Sequence, residues 1–486
     1  MNRRPGIIAA LALILTIITA VLFARGTFPL RRSQEASGAA EGTAARRNIV
    51  VIVMDTARQD RLSCYGYGRE TSPRLAELSG SATIYENAHS TSSWTAPGHA
   101  SLFTGFHTVT HGVSQEAWDM SDDLVTFAEV LEERGYRTVG VVENPMLVSD
   151  RGYAQGFSEY YESWRPRSKG SSGQAVDDFR RALDGGTPGQ SFLVFVNLIA
   201  PHSPYSSSRQ FRDTFTSEPG MPLESNMWRQ YYTGRRSFSE GEIEHLNELY
   251  DAEILFTDHL IGQMIDELVA RDLWDNTVFI VTSDHGENIG DHAHVDHVFS
   301  LFETTTRIPL IARGPGLFQE GARSDEPVQL TDIFPTVLEI AGVDPHDFPT
   351  HGYSLLGDAA PPDRDVFTEY YYPTQVLSCY GREEHRRHPL LKPYLRRIRS
   401  ITSGDVKFVW GADGRHELYD LSNDPGELAN LIDSDEYADV ARDLEDRLTA
   451  WFDEHEPDRT REPSESDIEK LDEATKEALR SLGYLE

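Results

Sequence analysis

The hydrophobic pattern of the chain alternates between two kinds of segment. Short runs rich in Val, Ile and Phe, apolar at successive positions, recur at 48–54, 138–142, 192–199 and 278–282. Such runs are typical of strands that are buried on both faces of a parallel sheet. Segments with helical periodicity lie between them, and 242–271 is the longest. The alternation predicts a doubly wound, mostly parallel α/β fold.

The pattern changes near residue 365, where the apolar runs become shorter. Segments Arg397–Val409 and His416–Leu421 predict antiparallel strands on either side of a turn at Gly411–Gly414. A helix is predicted at about 437–452, and the last amphipathic piece is Ile468–Leu482. We therefore expect a smaller C-terminal α+β subdomain followed by a charged tail.

The N-terminus carries one long apolar run. Residues 7–24 follow Arg3 and Arg4 and would span roughly 27 Å as a helix, close to the thickness of a bilayer. Basic residues before the run indicate a cytoplasmic N-terminus. The run predicts either a membrane anchor or a cleaved signal sequence, and both export the rest of the chain. Residues 25–47, rich in Arg, Ser, Ala and Gly, predict a flexible linker.

The charge of the chain excludes some partners. Among 486 residues, 78 Asp and Glu outweigh 45 Lys and Arg, which gives a net charge of −33. Nucleic acid is not expected as a partner, because binding its backbone requires basic residues. The segment 382–399 is locally basic and either binds anionic substrates or lipid headgroups or forms a solvated loop.

The chain has two cysteines, Cys64 and Cys379, which either pair or remain unpaired thiols.

Acidic residues follow two of the predicted strands directly. Asp55 ends the first run, and Asp284 with His285 follows the run at 278–282. In doubly wound sheets, ligands bind beyond the carboxyl ends of the strands. A single Asp there more often caps a turn, but two acids and an imidazole favour a divalent metal. Such a donor set suits Ca²⁺, Mg²⁺ or Mn²⁺, and Zn²⁺ also accepts it.

The segment Trp94–Gly105 predicts a short helix. Pro97 suits its first turn, and Gly105 suits its end. Thr95 would then lie at or beside the N-cap, where free N–H groups and the helix dipole attract an anion. The alternative is that Thr95 only caps the helix.

Six segments, in order, resemble the sulfatase family of the wider alkaline phosphatase superfamily. They are Asp55–Asp60, Thr95–Gly105, Thr282–Glu287, Arg307–Ile311, Gly314–Gly316 and Glu417–Leu428. The resemblance covers about 48–431. It implies an α/β fold with one divalent metal beside a nucleophile that attacks a sulfate or phosphate ester.

The resemblance also implies roles for individual residues. They are Thr95 as the nucleophile; Asp55, Thr95, Asp284 and His285 as metal ligands; and His99, His202 and His297 as contacts to substrate oxygens. The implied organisation is an anchor or signal sequence at 1–24, a linker at 25–47, a catalytic domain at 48–364, a C-terminal subdomain at 365–455 and a tail at 456–486.

The chain departs from the sulfatase pattern at the nucleophile. Sulfatases have Cys or Ser there, which is converted to formylglycine. Thr95 cannot become an aldehyde because its β-carbon already carries a methyl group, so no formylglycine is expected. His99 stands where sulfatases usually have Arg, and the usual Gly-Lys-x-His-x-Gly stretch is replaced around Asn144. A Thr nucleophile instead resembles the phosphodiesterase and phosphoglycerol- or phosphoethanolamine-transferase branches.

A dense polar cluster follows the second strand-end acid. Its members are Asp291, His292, His294, Asp296 and His297. It is either a second metal site or a polar loop bordering the first. We predict one metal, a bordering role for His294 and a substrate contact for His297.

These features predict an exported, metal-dependent hydrolase or transferase. It would cleave phosphodiester-type or sulfate esters through Thr95, with His202 or His297 as the proton donor. The expected partners are a small anionic ester or a lipid headgroup, and the membrane through the N-terminal helix. The alternatives are an arylsulfatase-type hydrolase and an inactive anion-binding member of the fold.

Overall fold

The computed structural model describes residues 46–165, 173–216, 227–357, 360–361, 363–372, 389–456 and 471–482. The strands are β1 Asn48–Met54, β2 Thr83–Tyr85, β3 Ala88–His89, β4 Arg137–Val142, β5 Glu159–Glu162, β6 Phe192–Leu198, β7 Thr277–Thr282, β8 Asn288–Ile289, β9 Val295–Asp296, β10 Leu310–Arg313, β11 Ala322–Ser324, β12 Val328–Gln329, β13 Val366–Tyr370, β14 Ile398–Ser403, β15 Val406–Gly411 and β16 Glu417–Asp420. The α-helices are α1 Pro73–Ser79, α2 Thr95–Thr104, α3 Thr108–His111, α4 Phe127–Glu133, α5 Gln174–Asp184, α6 Arg209–Phe215, α7 Met227–Tyr232, α8 Glu240–Ala270, α9 Glu303–Thr306, α10 Ile333–Ile340, α11 Ala438–His455 and α12 Glu473–Ser481.

The main sheet has eight strands in the order β11-β2-β10-β7-β1-β6-β4-β5. Its centre, β1, pairs in parallel with β6 and β7, whereas β10 runs antiparallel to both of its neighbours. Every residue of β1, β6 and β7 is buried, as expected for strands that helices cover on both faces. The prediction of a doubly wound, mostly parallel α/β fold is confirmed.

The helices fall into two packed groups, as a layered α/β fold requires. The long helix α8 contacts α1, α5 and α6, and α10 contacts α2 and α4. Helix α8 begins two residues before the predicted start. Ser239 caps it, because its side chain accepts a hydrogen bond from the N–H of Glu242 while the Glu242 carboxylate reaches back.

The C-terminal part contains a four-stranded antiparallel sheet, β13-β14-β15-β16, against which α11 packs. The prediction of a single strand at 397–409 is wrong. This segment forms two strands, β14 and β15, which turn at Gly404 with φ of 55°. Glycine allows that left-handed conformation at a tight hairpin. The turn at Gly411–Gly414 leads on to β16, and β13 was not predicted.

Several predictions fall on residues outside the described ranges. These include the anchor at 1–24, most of the linker, Cys379 and the basic residues before 389. In the described part of the chain, no helix has the length and apolar character needed to cross a bilayer. Arg397 and Arg399 of the basic segment both pair with Glu369 and Glu456, which neutralise them.

Candidate active site

The candidate site lies where the central strands of the main sheet end. Because β1 is in parallel register with β6 and β7, the residues that follow these strands lie at one edge of the sheet. Asp55 follows β1, and Asp284 and His285 follow β7. One ligand atom from each of these three buried side chains lies within 4.8 Å of the other two. The structure therefore brings together three of the four predicted metal ligands by strand register alone.

Two amides hold the carboxylate of Asp55. Its Oδ2 accepts hydrogen bonds from Asn144 Nδ2 at 2.8 Å and from Asn197 Nδ2 at 3.0 Å. Its Oδ1 is buried and has no hydrogen-bond partner among the described residues. One oxygen is thus fixed, and the other is left to meet a ligand. Sequence reasoning missed both asparagines, although each lies at the carboxyl end of a predicted strand.

The carboxylate of Asp284 is held in the same way by backbone groups. Its Oδ1 accepts hydrogen bonds from the N–H groups of Thr56 at 3.1 Å and His285 at 3.0 Å. Thr56 reaches this position with φ of 58°, a conformation that costs a residue other than glycine about 1–3 kcal/mol. Asp284 Oδ2 is buried without a hydrogen-bond partner in the described part of the chain.

The open atoms of this cluster fit a divalent cation. Two buried carboxylate oxygens without donors are costly to bury unless a cation lies between them. His285 Nε2 lies 3.4 Å from Asp284 Oδ2, and Nδ1 lies 2.9 Å from the carbonyl of Gly286. That second contact orients the ring as in known metal-binding histidines. The mixed oxygen and nitrogen donors suit Mn²⁺, Mg²⁺, Ca²⁺ or Zn²⁺.

Thr95 lies at this cluster as the first residue of α2. Trp94 is the N-cap residue, and the Thr95 Oγ1 lies 3.3 Å from His285 Nε2. The helix can approach so closely because residue 98 is glycine. A Cβ there would lie 3.0 Å from the backbone oxygen of Asp284. The N-terminal turn of α2, the positive end of the helix dipole, therefore lies beside the carboxylates.

His99 lies one turn further along α2 and is fully buried. Its Nδ1 lies 2.9 Å from the carbonyl of Thr95 and 3.5 Å from Asp284 Oδ2. Its Nε2 lies 3.3 Å from Asn197 Nδ2. Both ring nitrogens of His99 thus have protein neighbours, and one of these neighbours is the backbone carbonyl of Thr95. A contact between His99 and substrate stays a prediction.

His202 and His297 both lie beside the cluster. The His297 ring centroid is 4.5 Å from that of His285 and 5.1 Å from that of His202. Burial, with a contribution from His297, lowers the pKa of both His202 and His285. Burial also acts on His297, but the carboxylates of Asp296 and Glu287 raise its pKa well above the ordinary value.

The polar cluster after His285 divides into separate contacts. His292 stacks on Phe302 with ring centroids 3.7 Å apart, and Asp291 pairs with Arg58 at 2.7 Å. His294 Nδ1 lies 2.9 Å from the carbonyl of His292. These three residues contact each other's loop and its neighbours, and a bordering role for His294 stays a prediction. His297 instead contacts Asp296 and Glu287, and Glu287 was not among the predicted site residues.

The main sheet thus carries, at one edge, a donor set suited to a cation and the N-terminus of helix α2. Residues 47–343 match the family model described as Sulfatase. Residues 290–454 match the model described as N-sulphoglucosamine sulphohydrolase, C-terminal. The chain belongs to the sulfatase family of the alkaline phosphatase superfamily, whose enzymes generally use a divalent metal ion.

Relatives and solved structures agree with this assignment. Arylsulfatase K of Canis lupus familiaris is 26% identical over 479 residues, which cover 85% of this chain and 83% of the relative. The sulfatase YidJ of Escherichia coli is 25% identical and covers 84% of this chain and 87% of the relative. The phosphonate monoester hydrolase of Agrobacterium radiobacter has a TM-score of 0.69 at 21% identity, covering 84% and 96%. The last comparison shows a shared fold.

Proposed function

We propose that this chain is an exported, metal-dependent hydrolase or transferase that uses Thr95 as its nucleophile. Its substrates would be phosphodiester-type esters, with sulfate esters as the alternative. One observation carries the proposal. The Thr95 hydroxyl lies 3.3 Å from His285 Nε2, beside two buried carboxylate oxygens that have no hydrogen-bond partner among the described residues.

The proposed ligands of the metal are Asp55, Thr95, Asp284 and His285. A divalent ion bound there would lower the pKa of the Thr95 hydroxyl and offset charge on the ester oxygens. The N-terminus of α2, the positive end of the helix dipole, favours an anion at the same point. The remaining chemistry belongs to side chains of this chain.

The proposed reaction has two displacements at phosphorus. The Thr95 hydroxyl gives its proton to solvent, and Oγ1 attacks in line with the leaving oxygen. An Oγ1–P bond forms as the P–O bond to the leaving group breaks, and the leaving oxygen takes a proton from His202 or His297. Water or an acceptor alcohol then attacks phosphorus and gives its proton to the histidine, while the Oγ1–P bond breaks and Thr95 Oγ1 takes a proton back from solvent.

Three similar proteins support sulfate esters as the second candidate substrate. The relatives in dog and Escherichia coli are described as sulfatases. A structure with a TM-score of 0.69 and 21% identity, covering 85% of this chain, was solved with its substrate D-glucosamine-2-N,6-O-disulfate. The same in-line attack by Thr95 at sulfur would serve such a substrate. The relatives do not supply a reason for threonine at position 95.

A substrate panel with metal-loaded protein tests the proposal. We expect kcat/KM for an aryl phosphodiester to exceed that for an aryl sulfate, with phosphate monoester and phosphonate monoester as further comparisons. Faster turnover of the aryl sulfate would reverse the substrate preference and support the sulfatase alternative. No turnover of any ester, with anion binding retained, would support the inactive alternative.

The nucleophile is tested by Thr95→Ala, with Thr104→Ala as the matched control. Thr104 ends the same helix, and its hydroxyl donates to the carbonyl of Ala100, away from the cluster. Thr95→Ala should abolish turnover with the fold and metal content retained. Full activity of Thr95→Ala would contradict the proposal.

Export is proposed from the apolar run at 7–24 and the arginines before it. Cell fractionation of the full chain should recover the protein with membranes, and external protease should reach the catalytic domain. Recovery in the cytosol would contradict export.

A further inference from the structure

A second group of metal-type side chains lies beside the first. One ligand atom from each of Glu287, Asp296 and His297 lies within 4.8 Å of the other two. The strand pair β8 and β9 brings them together. Asn288 pairs with Asp296 in this antiparallel ladder, so Glu287, which precedes β8, comes opposite His297, which follows β9.

Glu287 is the most exceptional member of this group. Its side chain is fully buried, and neither carboxylate oxygen has a hydrogen-bond partner among the described residues. Its nearest charged neighbour is His297, with 3.5 Å between Oε1 and Nδ1. A buried carboxylate without donors is unfavourable unless a cation compensates it.

Asp291, an acid of the same loop, shows how protein donors compensate a carboxylate charge. Asp291 accepts a hydrogen bond from Arg58 at 2.7 Å and another from the N–H of Ile289 at 2.8 Å. Asp296 accepts a hydrogen bond from the N–H of His297 at 2.8 Å, and Asp296 and Glu287 both lie beside the imidazole Nδ1 of His297. Two carboxylates therefore face one ring nitrogen in a buried space.

The distances within the group match those between ligands of one ion. His297 Nδ1 lies 2.9 Å from Asp296 Oδ1 and 3.5 Å from Glu287 Oε1. Ligand atoms about 2.1 Å from a shared ion are separated by about 3.0 Å at right angles and about 3.4 Å in a tetrahedron. The three side chains need little movement to enclose a cation.

We propose that Glu287, Asp296 and His297 form a second divalent-cation site. Two carboxylates and one imidazole suit Mn²⁺ or Zn²⁺. The proposal differs from our expectation of a single metal. Asp291 and His294, which belong to the same loop cluster, are not among the proposed ligands. Binding through Nδ1 would leave His297 Nε2 for the neighbouring site. The proposal does not depend on Thr95 being the nucleophile.

Metal counting on the full chain tests this site. Protein stripped with a chelator, reloaded with excess Mn²⁺ and freed of unbound metal should hold two ions by elemental analysis. Glu287→Gln and Asp284→Asn should each hold one, because each removes a ligand from a different site. His294→Gln, from the same loop, should hold two. One ion in the wild type that Glu287→Gln still holds, or two ions in Glu287→Gln, would overturn the proposal.

Anomalous diffraction from Mn²⁺-loaded wild-type crystals provides a test that needs no variant. A peak is expected within about 2.3 Å of atoms from Glu287, Asp296 and His297, separate from a peak at Asp284. A peak at Asp284 alone would leave the proposed function standing and refute the second site. A peak at Glu287, Asp296 and His297 alone would confirm the second site and refute a metal ion beside Thr95.

Discussion

Two groups of buried carboxylates in this protein differ in what neutralises them. At the candidate active site, Asp55 and Asp284 form no ion pair with Lys or Arg in the described part of the chain, and each keeps one oxygen without a hydrogen-bond partner. Near the C-terminal sheet, Glu303 and Glu427 share Lys407. Its Nζ lies 2.9 Å from an oxygen of each acid.

In the group near the C-terminal sheet, a lysine of the same chain balances the charge of the two acids. Burial opposes ionisation of Glu303, but Lys407 lowers its pKa to about 2. Burial raises the pKa of Glu427 to about 7, against the pull of Lys407. The Lys407 ammonium thus pairs with an ionised Glu303 and with a Glu427 that tends to keep its proton. Among the described residues, no Lys or Arg plays this part at the active-site group, which favours a cation from outside the chain.

The largest expected effect is on catalysis and comes from Asp284→Asn. We expect kcat/KM to fall about 10³-fold, because a bound ion supplies several kcal/mol of transition-state stabilisation. Metal content should fall in parallel. The free energy of unfolding of the metal-free protein should not fall, since the variant removes an uncompensated charge. Destabilisation of the metal-free form would show that Asp284 is instead compensated by the protein.

The equivalent change in the other group should act on stability. Lys407→Met removes the cation from two buried acids and should lower the free energy of unfolding by about 3–5 kcal/mol. Denaturant titration measures this change. The double variant with Glu427→Gln should recover part of the loss. Unchanged stability of Lys407→Met would contradict the claim that Lys407 neutralises the buried acids of this group.

A smaller effect is expected at the amides behind Asp55. Asn144→Ala removes one of the two donors to Asp55 Oδ2 and should weaken metal binding about 10- to 100-fold, as for other residues that orient metal ligands. Calorimetric titration with Mn²⁺ provides the measurement. Asn276→Ala, which loses an amide contact to the carbonyl of Arg46 at the opposite end of β7, is the control and should bind normally. Equal affinities would remove Asn144 from the site.

The smallest effect concerns pH. Folded Glu427 keeps its proton up to about pH 7, whereas its ordinary pKa is 4.5, so its contribution to stability is fully present below pH 4.5. That contribution is lost as the pH rises to 7. The stability of the wild type should therefore decline more steeply over this range than that of Glu427→Gln. Parallel curves would refute the assigned direction.

Much of the site could be predicted because its residues sit at strand ends. Asp55 and Asp284 follow strands whose apolar pattern is unambiguous, and parallel register then requires them to meet. Asn144, Asn197 and Glu287 escaped prediction, since only tertiary packing determines which polar side chain faces a given carboxylate. The hairpin at Gly404 was missed for a different reason: its two-residue turn signal, Gly404-Asp405, lies between two alternating runs and was not recognised.

The most direct test of the account is the covalent state of Thr95 during turnover. Metal-loaded protein mixed with a slowly hydrolysed aryl phosphodiester and quenched in acid should yield a peptide with the phosphoryl group on Thr95, detected by mass spectrometry. The Thr104→Ala control should give the same adduct, and Thr95→Ala should give none. Active protein that releases product while Thr95 remains unmodified, with the adduct on another residue or on none, would contradict the account.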